Sequence, residues 1–548
     1  MNRLPRAAVL GLLVTTPAIA APQAPVPPTL SLVAPNPEGF DRLGGSAVSL
    51  SDDWIVAGLP ERDSGFGNQG VAYAWARPVD AGGIGVAPIE ISCPDPAAGA
   101  RFGFDLDLDG ANLAVTQRRS PSMQNGGVVH LYSSTGSTWT LDDTVADASG
   151  FASSGFGWSV SRNGDVLAVG APFTFVNGQS RGAVQVFRRS AQGAWVLEDT
   201  LTASDGAMQD EFGKSIAIDG DVVVVGAARK SPSGAAYAFE RVQGNWVETG
   251  RFAVDPGSGD VSLGVAVDVD GDRAVVGAQR NNVTGAAYVF RRSGGTWVQE
   301  QRLQPSSLES TSNFGIGVDL AGDTLAVGAY SDSAAGALSG TTFGFTRSGG
   351  TWTPTSRFVR TEGTATSFGT VALTDGQGRF VSGAPADGLL GGVTAAGALF
   401  VHDARDEIGT AYCSAAPNST GRTGVISAWG RLSAAANEIE LVSFDLPRNA
   451  FGYFLASRAS GFVTQPGGSE GNLCLGGAIG RYVGAGQIAN SGATGSFSLP
   501  IDLTVIPQPN GPEPAVAGET WHFQTWFRDS NLGIATSNFS QGVRLVLE

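Results

Sequence analysis

The chain has 548 residues, 42 % apolar and only 15 % charged, with 78 glycines and a formal net charge of −16. That acidity disfavours DNA, RNA and anionic lipid, whose phosphates demand cationic partners. The composition excludes a disordered chain, and the lack of long helical periodicity leaves a turn-rich, all-β protein.

Residues 1–20 read as a secretion signal. Arg3 and Arg6 supply positive charge, residues 7–14 an apolar core, and Ala18-Ile19-Ala20 a small-residue cleavage site. The protein is therefore expected to be secreted, in the extracellular space, at the cell surface or in a periplasm. The apolar run is too short to cross a bilayer, and no later stretch reaches the ~18 apolar residues a span needs, so no membrane span is expected. Residues 21–28 form a Pro-rich lead-in.

From there the chain repeats itself. An apolar residue followed by glycine opens each unit, at Leu43, Phe102, Phe156, Phe212, Leu263, Phe314 and Phe368, 51 to 59 residues apart. Trp139, Trp195, Trp246, Trp297 and Trp352 each stand 16 or 17 residues before the next opening pair. Residues 212–246 show the plan. Residues 215–218 alternate small and apolar, and Asp219-Gly220 suits a two-residue type I′ hairpin. Residues 222–225 are a β-branched run, residues 235–239 are small, aromatic and apolar, and a polar tip leads into Trp246. A four-stranded meander exposes two faces and needs copies of itself on both sides. Seven such copies predict a seven-bladed β-propeller. The seventh copy ends at residues 397–401 with no tryptophan strand after it, while residues 29–33 look like the strand that follows each tryptophan. The N-terminal strand is thus expected to complete blade 7 and close the ring.

The second strands of units 3 to 6 end Val169-Gly170-Ala171-Pro172, Val225-Gly226-Ala227-Ala228, Val276-Gly277-Ala278-Gln279 and Val327-Gly328-Ala329-Tyr330, and unit 7 has Ser382-Gly383-Ala384-Pro385. Units 1 and 2 are degenerate, with Ala57-Gly58-Leu59-Pro60 and Ala114-Val115-Thr116-Gln117. Opening pairs, spacing and corners together resemble the FG-GAP repeat of integrin α-subunit propellers and of many bacterial secreted proteins, over roughly residues 29–403. The resemblance implies a propeller over residues 29–406. The calcium-binding form of the family carries a DxDxDGxxD loop of hard oxygen donors. The nearest match here, Asp105-Leu106-Asp107-Leu108-Asp109-Gly110, has Leu113 at the ninth position. Aligned units place Asn163-Gly164, Asp219-Gly220, Asp270-Gly271 and Ala321-Gly322 at the same corner. A tight hairpin is expected there, with neither a metal nor a cofactor.

Residues 407–548 lose the repeat and read as strands between Gly, Pro and Asn turns, the pattern of a C-terminal β-sandwich-like domain. In an exported chain its two cysteines, Cys413 and Cys474, are expected to form a disulfide. Cys93 is left over and is expected to be a buried thiol in blade 1, with an intermolecular pair as the alternative.

The three histidines, His130, His402 and His522, fall on strands in separate units, with no paired spacing. The regular tryptophans read as packing rather than as a sugar-stacking set. The better clue is loop length. The first-to-second and third-to-fourth turns of each meander are short and share one side of the ring. The other connections are long, irregular and lie on the opposite side, where recognition is usually placed. There Arg118, Arg119, Arg181, Arg229, Lys230 and Arg280 make a cationic arc on an acidic protein. The expectation is a monomeric, non-catalytic binding or adhesion protein whose loops contact an extracellular protein or polysaccharide, anionic at the contact. A hydrolase or lyase on a propeller scaffold, and a structural matrix component, stay open as alternatives.

Overall fold

The computed structural model describes residues 30–548 apart from 40, 46, 52, 64, 77–87, 124–125, 136–137, 152, 255–258, 280–283, 306–307, 309–310, 334–338, 360–366, 388–394, 404–406, 422, 431, 435–436, 438, 445, 448, 492–496 and 532–533. The signal-like residues 1–20, the lead-in 21–28 and Arg280 lie outside the described residues.

Seven four-stranded antiparallel sheets follow one another along the chain. Blade 4 is typical, with strands Ile216–Asp219, Val222–Ala227, Ala235–Val242 and Asn245–Phe252 in spatial order. First strands pack on the first strands of neighbouring blades. That of blade 7 (Ala372–Thr374) meets those of blade 6 (Phe314–Ala321) and blade 1 (Val48–Leu50). The sheets therefore close into a ring of seven around an axis. The outer strand of blade 7 is Leu30–Leu32, paired antiparallel with Ala398–Asp403.

The second strands of blades 1, 3 and 4 are buried along their whole length, and those of blades 5 to 7 at all but their first residue, because blades cover both of their faces. This is why they read as unbroken runs such as Val222–Ala227 rather than alternating ones. Each fully buried valine there contributes roughly 1.5–3 kcal/mol.

The opening pair and the corner of the next-door unit touch. Gly226, in the corner of blade 4, faces the Gly264 carbonyl of blade 5, and a Cβ at Gly226 would overlap that oxygen. The same apposition recurs between Gly170 and Gly213, Gly277 and Gly315, Gly328 and Gly369, and Gly383 and Gly44. The apolar residue of each pair also docks on the preceding blade: Leu263 donates its N–H to the Ser233 carbonyl at 2.9 Å.

The first hairpin differs from expectation. Asp219 pairs with Val222, so the loop is Gly220-Asp221, with a positive φ of 55° at Gly220 alone. That is the pattern of a type II′ turn, not type I′. Asp219 stands outside the turn, and its carboxylate accepts the N–H of Gly271, the turn glycine of blade 5, at 2.8 Å. Asp109 and Asp270 do the same for Gly164 and Gly322. The Asp-Gly signature thus reflects a contact between blades.

The tryptophans stand at the start of the outer strands, and two of them are fixed by an indole hydrogen bond from the preceding blade. Trp246 donates to Glu198 and Trp297 to Glu240, each at 3.2 Å, and Arg241 and Arg292 pair with the same carboxylates.

After blade 7 the chain builds two facing sheets. One contains Glu407–Ile408, Val425–Gly430, Ile439–Phe444 and Phe497–Ile501; the other is centred on Phe451–Ser457, Thr520–Asn531 and Ile534–Val546. Ile426, Leu441, Phe454, Phe497, Trp521 and Leu545 fill the space between them, as in a β-sandwich. Cys413 and Cys474 form a disulfide, and Arg379 of blade 7 pairs with the buried Glu440 at 2.9 Å.

Two outcomes follow for stability. Gly226→Ala should cost roughly 3 kcal/mol by overpacking against a backbone carbonyl that cannot move aside, read as a fall in Tm; an unchanged Tm would contradict the blade contact. Deleting residues 24–36 removes the outer strand of blade 7 and should lower the Tm of the whole ring. A truncated protein melting like its parent would show that this strand does not close it.

Candidate binding site on the long-loop face

Strand pairing corrects the alignment of blade 2. Gln117 lies opposite Phe102 as Ala278 lies opposite Leu263. The counterpart of Val169-Gly170-Ala171-Pro172 is therefore Val115-Thr116-Gln117-Arg118, one residue later than the sequence alignment places it. With glycine, alanine and proline all replaced, nothing in the sequence marks the register. Thr116 fills the glycine position, and its Oγ1 accepts the Asp105 N–H at 2.9 Å. Gln117 is fully buried. Its Nε2 donates to the carbonyls of Asp95 and Arg119 at 2.8 and 2.7 Å, and its Oε1 meets Cys93 Sγ and His130 Nε2. Burial pushes His130 down to about 4 and the Cys93 thiol up to about 11, so both are neutral structural groups.

Arg118 stands where other blades place Pro60, Pro172 and Pro385. Its guanidinium lies over Phe104 at 4.5 Å and Trp158 at 4.3 Å, a cation–π arrangement. Its Nε is buried and has no hydrogen-bond partner among the described residues. Burial, then repulsion from Arg101 and Arg119, pushes its pKa down to about 10. Arg101, Arg118 and Arg119 line a cavity of about 200 Å³ together with Asn68 and Gly99. No carboxylate forms an ion pair with any of the three among the described residues. Arg101 escaped the sequence reading. The available signal was an arginine directly before an opening pair, a position held in the left-handed region here (φ 52°) and at Arg42 (φ 57°). A second cavity of about 400 Å³, lined by Arg42, Pro60, Glu61, Phe104, Ser367 and Pro385 among others, adjoins the first through the Arg118–Phe104 stack.

The remaining cations of the predicted arc do not join this cluster. Lys230 is buried, donates to the Asp205 carbonyl at 2.7 Å and pairs with Asp210 at 3.0 Å, so it is a structural tie and not a ligand contact. Arg229 pairs with Glu211 at 3.0 Å, and Arg181 donates to Gln179. The arc is broken because the acidic fourth-to-first connections reach over and neutralise its middle. His402 packs on Phe358 in blade 7 and His522 on Tyr412 in the C-terminal domain, whereas His130 lies in blade 2.

A family model for the FG-GAP repeat matches residues 139–187, 195–239 and 297–345, each running from the outer strand of one blade through the third strand of the next. The chain carries FG-GAP repeats. No curated protein matches it. Among solved structures it is similar to a chain of the mitotic checkpoint complex (12 % identity, TM-score 0.45, covering 73 % of this chain and 99 % of that one). It is also similar to Sqt1 of Saccharomyces cerevisiae (10 %, 0.39, 77 % and 96 %) and to a putative 6-phosphogluconolactonase of Bacteroides fragilis (14 %, 0.37, 72 % and 92 %). These likenesses add nothing to what the sheet order shows.

Within the ring, the aspartates that resemble a calcium loop lie on the innermost strand Phe102–Asp109. Asp105 accepts the Val160 N–H at 2.9 Å, Asp107 the Arg162 N–H at 2.7 Å, and Asp109 the Gly164 N–H at 2.7 Å, all from blade 3. Asp268 and Asp319 accept the amides of Leu320 and Thr374 in the same way. The segment is a strand and a hairpin, and one oxygen of each of the three carboxylates accepts an amide of the neighbouring blade. Burial, reinforced by neighbouring aspartates, pushes Asp105 and Asp319 up to about 7, and raises Asp268 strongly. A carboxyl raised in this way binds a proton in the folded chain between the unfolded value, about 3.9, and about 7. Its contribution to stability is complete at low pH and is lost as pH rises through that window. Tm should therefore rise as pH falls from 8 to 5. Asp319→Asn, which keeps an acceptor for Thr374, should raise Tm at pH 8 and flatten that dependence; a variant with the parent's pH profile would contradict it.

Proposed function

We propose that this FG-GAP protein is a secreted binding protein that holds a macromolecular partner against the long-loop face of its propeller. The observation that supports this most is the placement of exposed apolar side chains. Phe66, Met123, Phe151, Phe175 and Met208 are all about half exposed or more. All five lie on second-to-third or fourth-to-first connections of blades 1 to 4. Exposed apolar groups gathered on one side of a rigid scaffold mark an interaction surface. The other exposed large apolar side chains of the ring among the described residues, Leu141, Val196, Leu197, Val242, Val247 and Val298, are spread along third and outer strands, and the tips of the short turns on the opposite face are polar, for instance Gln243-Gly244 and Gly294-Gly295. Secretion is supported by the Cys413–Cys474 disulfide, which needs an oxidising compartment, and by the signal-like start of the sequence.

The test is an array of glycans and extracellular-matrix proteins probed with the whole chain, followed by the triple variant Phe66→Ser, Phe151→Ser, Phe175→Ser. Because all three side chains are exposed, the variant should keep the parent's Tm and lose the retained partner. A control altered on the short-turn face, Gln243→Ser with Thr296→Ser, should keep it. The opposite pattern would move the binding surface, and release of fragments from a glycan spot would favour the hydrolase or lyase reading.

A further inference from the structure

Blade 2 breaks the repeat at one corner only, and the break introduces chemistry. Glycine, alanine and proline become Thr116, Gln117 and Arg118. Gln117 anchors the connection on both sides, through the carbonyls of Asp95 and Arg119. Ser120 and Ser122 hold the Asp95 carboxylate away from the arginines. The backbone also gathers the charges: Arg119 N–H donates to the Ala100 carbonyl, and Arg101 N–H to that of Asn68, each at 3.1 Å. Three guanidinium groups are thereby held around about 200 Å³. Elsewhere on this face Lys230 is matched by Asp210 and Arg229 by Glu211, while Arg181 is held by the Gln179 amide oxygen. On a chain of net charge −16, a cluster of like charges without an acid is a cost that a bound anion would relieve.

We infer that the Arg101–Arg118–Arg119 pocket receives a carboxylate from an extended segment of a protein partner, with apolar residues beside it. This rests on the long-loop face being the binding surface. Guanidinium forks match the planar carboxylate in a bidentate geometry. The pocket is small enough for one such group. The flanks decide the kind of partner. Phe66 precedes the lining residue Asn68 by two positions, and Met123 follows Arg119 by four, both with about half their surface exposed. Apolar and arginine groups side by side are the composition of protein interfaces. The adjoining cavity carries Glu61 beside Arg42, which would oppose a uniformly acidic polymer such as a polyuronate but not a chain with one acid among apolar residues. The carboxylate can come from an Asp or Glu side chain or from a chain end.

The experiment pans a random heptapeptide library, in free-carboxyl and C-terminally amidated forms, against the full chain and against Arg101→Ser/Arg119→Ser. Both residues are exposed, so the double variant should melt with the parent. The expected result is enrichment of peptides with one acid beside apolar residues, bound about tenfold or more weakly by the variant and displaced by millimolar-range sodium sulfate. Loss of binding on amidation alone would assign the chain end; persistence would assign the side chain. Arg118→Gln gives a second reading if it folds. Peptides without acids, peptides held equally by the double variant, or retention only on polyuronate or sulfated-glycan beads would overturn the inference. If the array partner is lost with the Phe66, Phe151 and Phe175 changes but kept by Arg101→Ser/Arg119→Ser, the pocket falls and the binding face stands.

Discussion

Everything in the ring depends on one close approach, the glycine of one blade's corner against the carbonyl of the next blade's opening glycine. Gly226 on Gly264 shows why neither can carry a side chain. The contact brings second strands within reach of the neighbouring sheet, which buries them on both faces and makes the β-branched runs favourable. It also sets the angle at which blades meet, and a constant angle repeated seven times is what closes a circle.

The architecture was legible because that contact is encoded locally and repeatedly. The opening pair and the corner are two halves of one junction, so they appear at a fixed spacing and survive even where Leu43 or Leu263 replaces phenylalanine. What the sequence conceals is anything settled between blades by side chains. Asp219 looks like a turn residue because Asp-Gly is a common turn, yet its carboxylate serves the next hairpin. Lys230 looks like a loop cation because its partners, Asp205 and Asp210, come from another connection. Arg101 was passed over because its neighbours in space, Arg118 and Arg119, lie beyond a whole strand pair.

Blade 2 shows where a repeat protein can place specificity. The six regular corners hold the scaffold and have little freedom to vary. At the seventh, Thr116 occupies the space that glycine vacates elsewhere and takes an amide from within its own blade. Once that junction is relaxed, Gln117 and Arg118 can be polar, and Arg118 can lie across Phe104 and Trp158. Local departure from the repeat and concentration of unpaired charge coincide at this one place.

The pairing of Leu30–Leu32 with Ala398–Asp403 also fixes an order of events in the life of the chain. As the polypeptide is synthesised, the first strand of the ring has to wait for nearly the whole propeller before its partner arrives. Loop closure over that separation is slow relative to forming any single blade. Blades 1 to 6 can stack as they appear, but the ring can close only once residues 398–403 are free to pair with the first strand. Until then the blades form an open arc, and commitment to the native state belongs to the last blade.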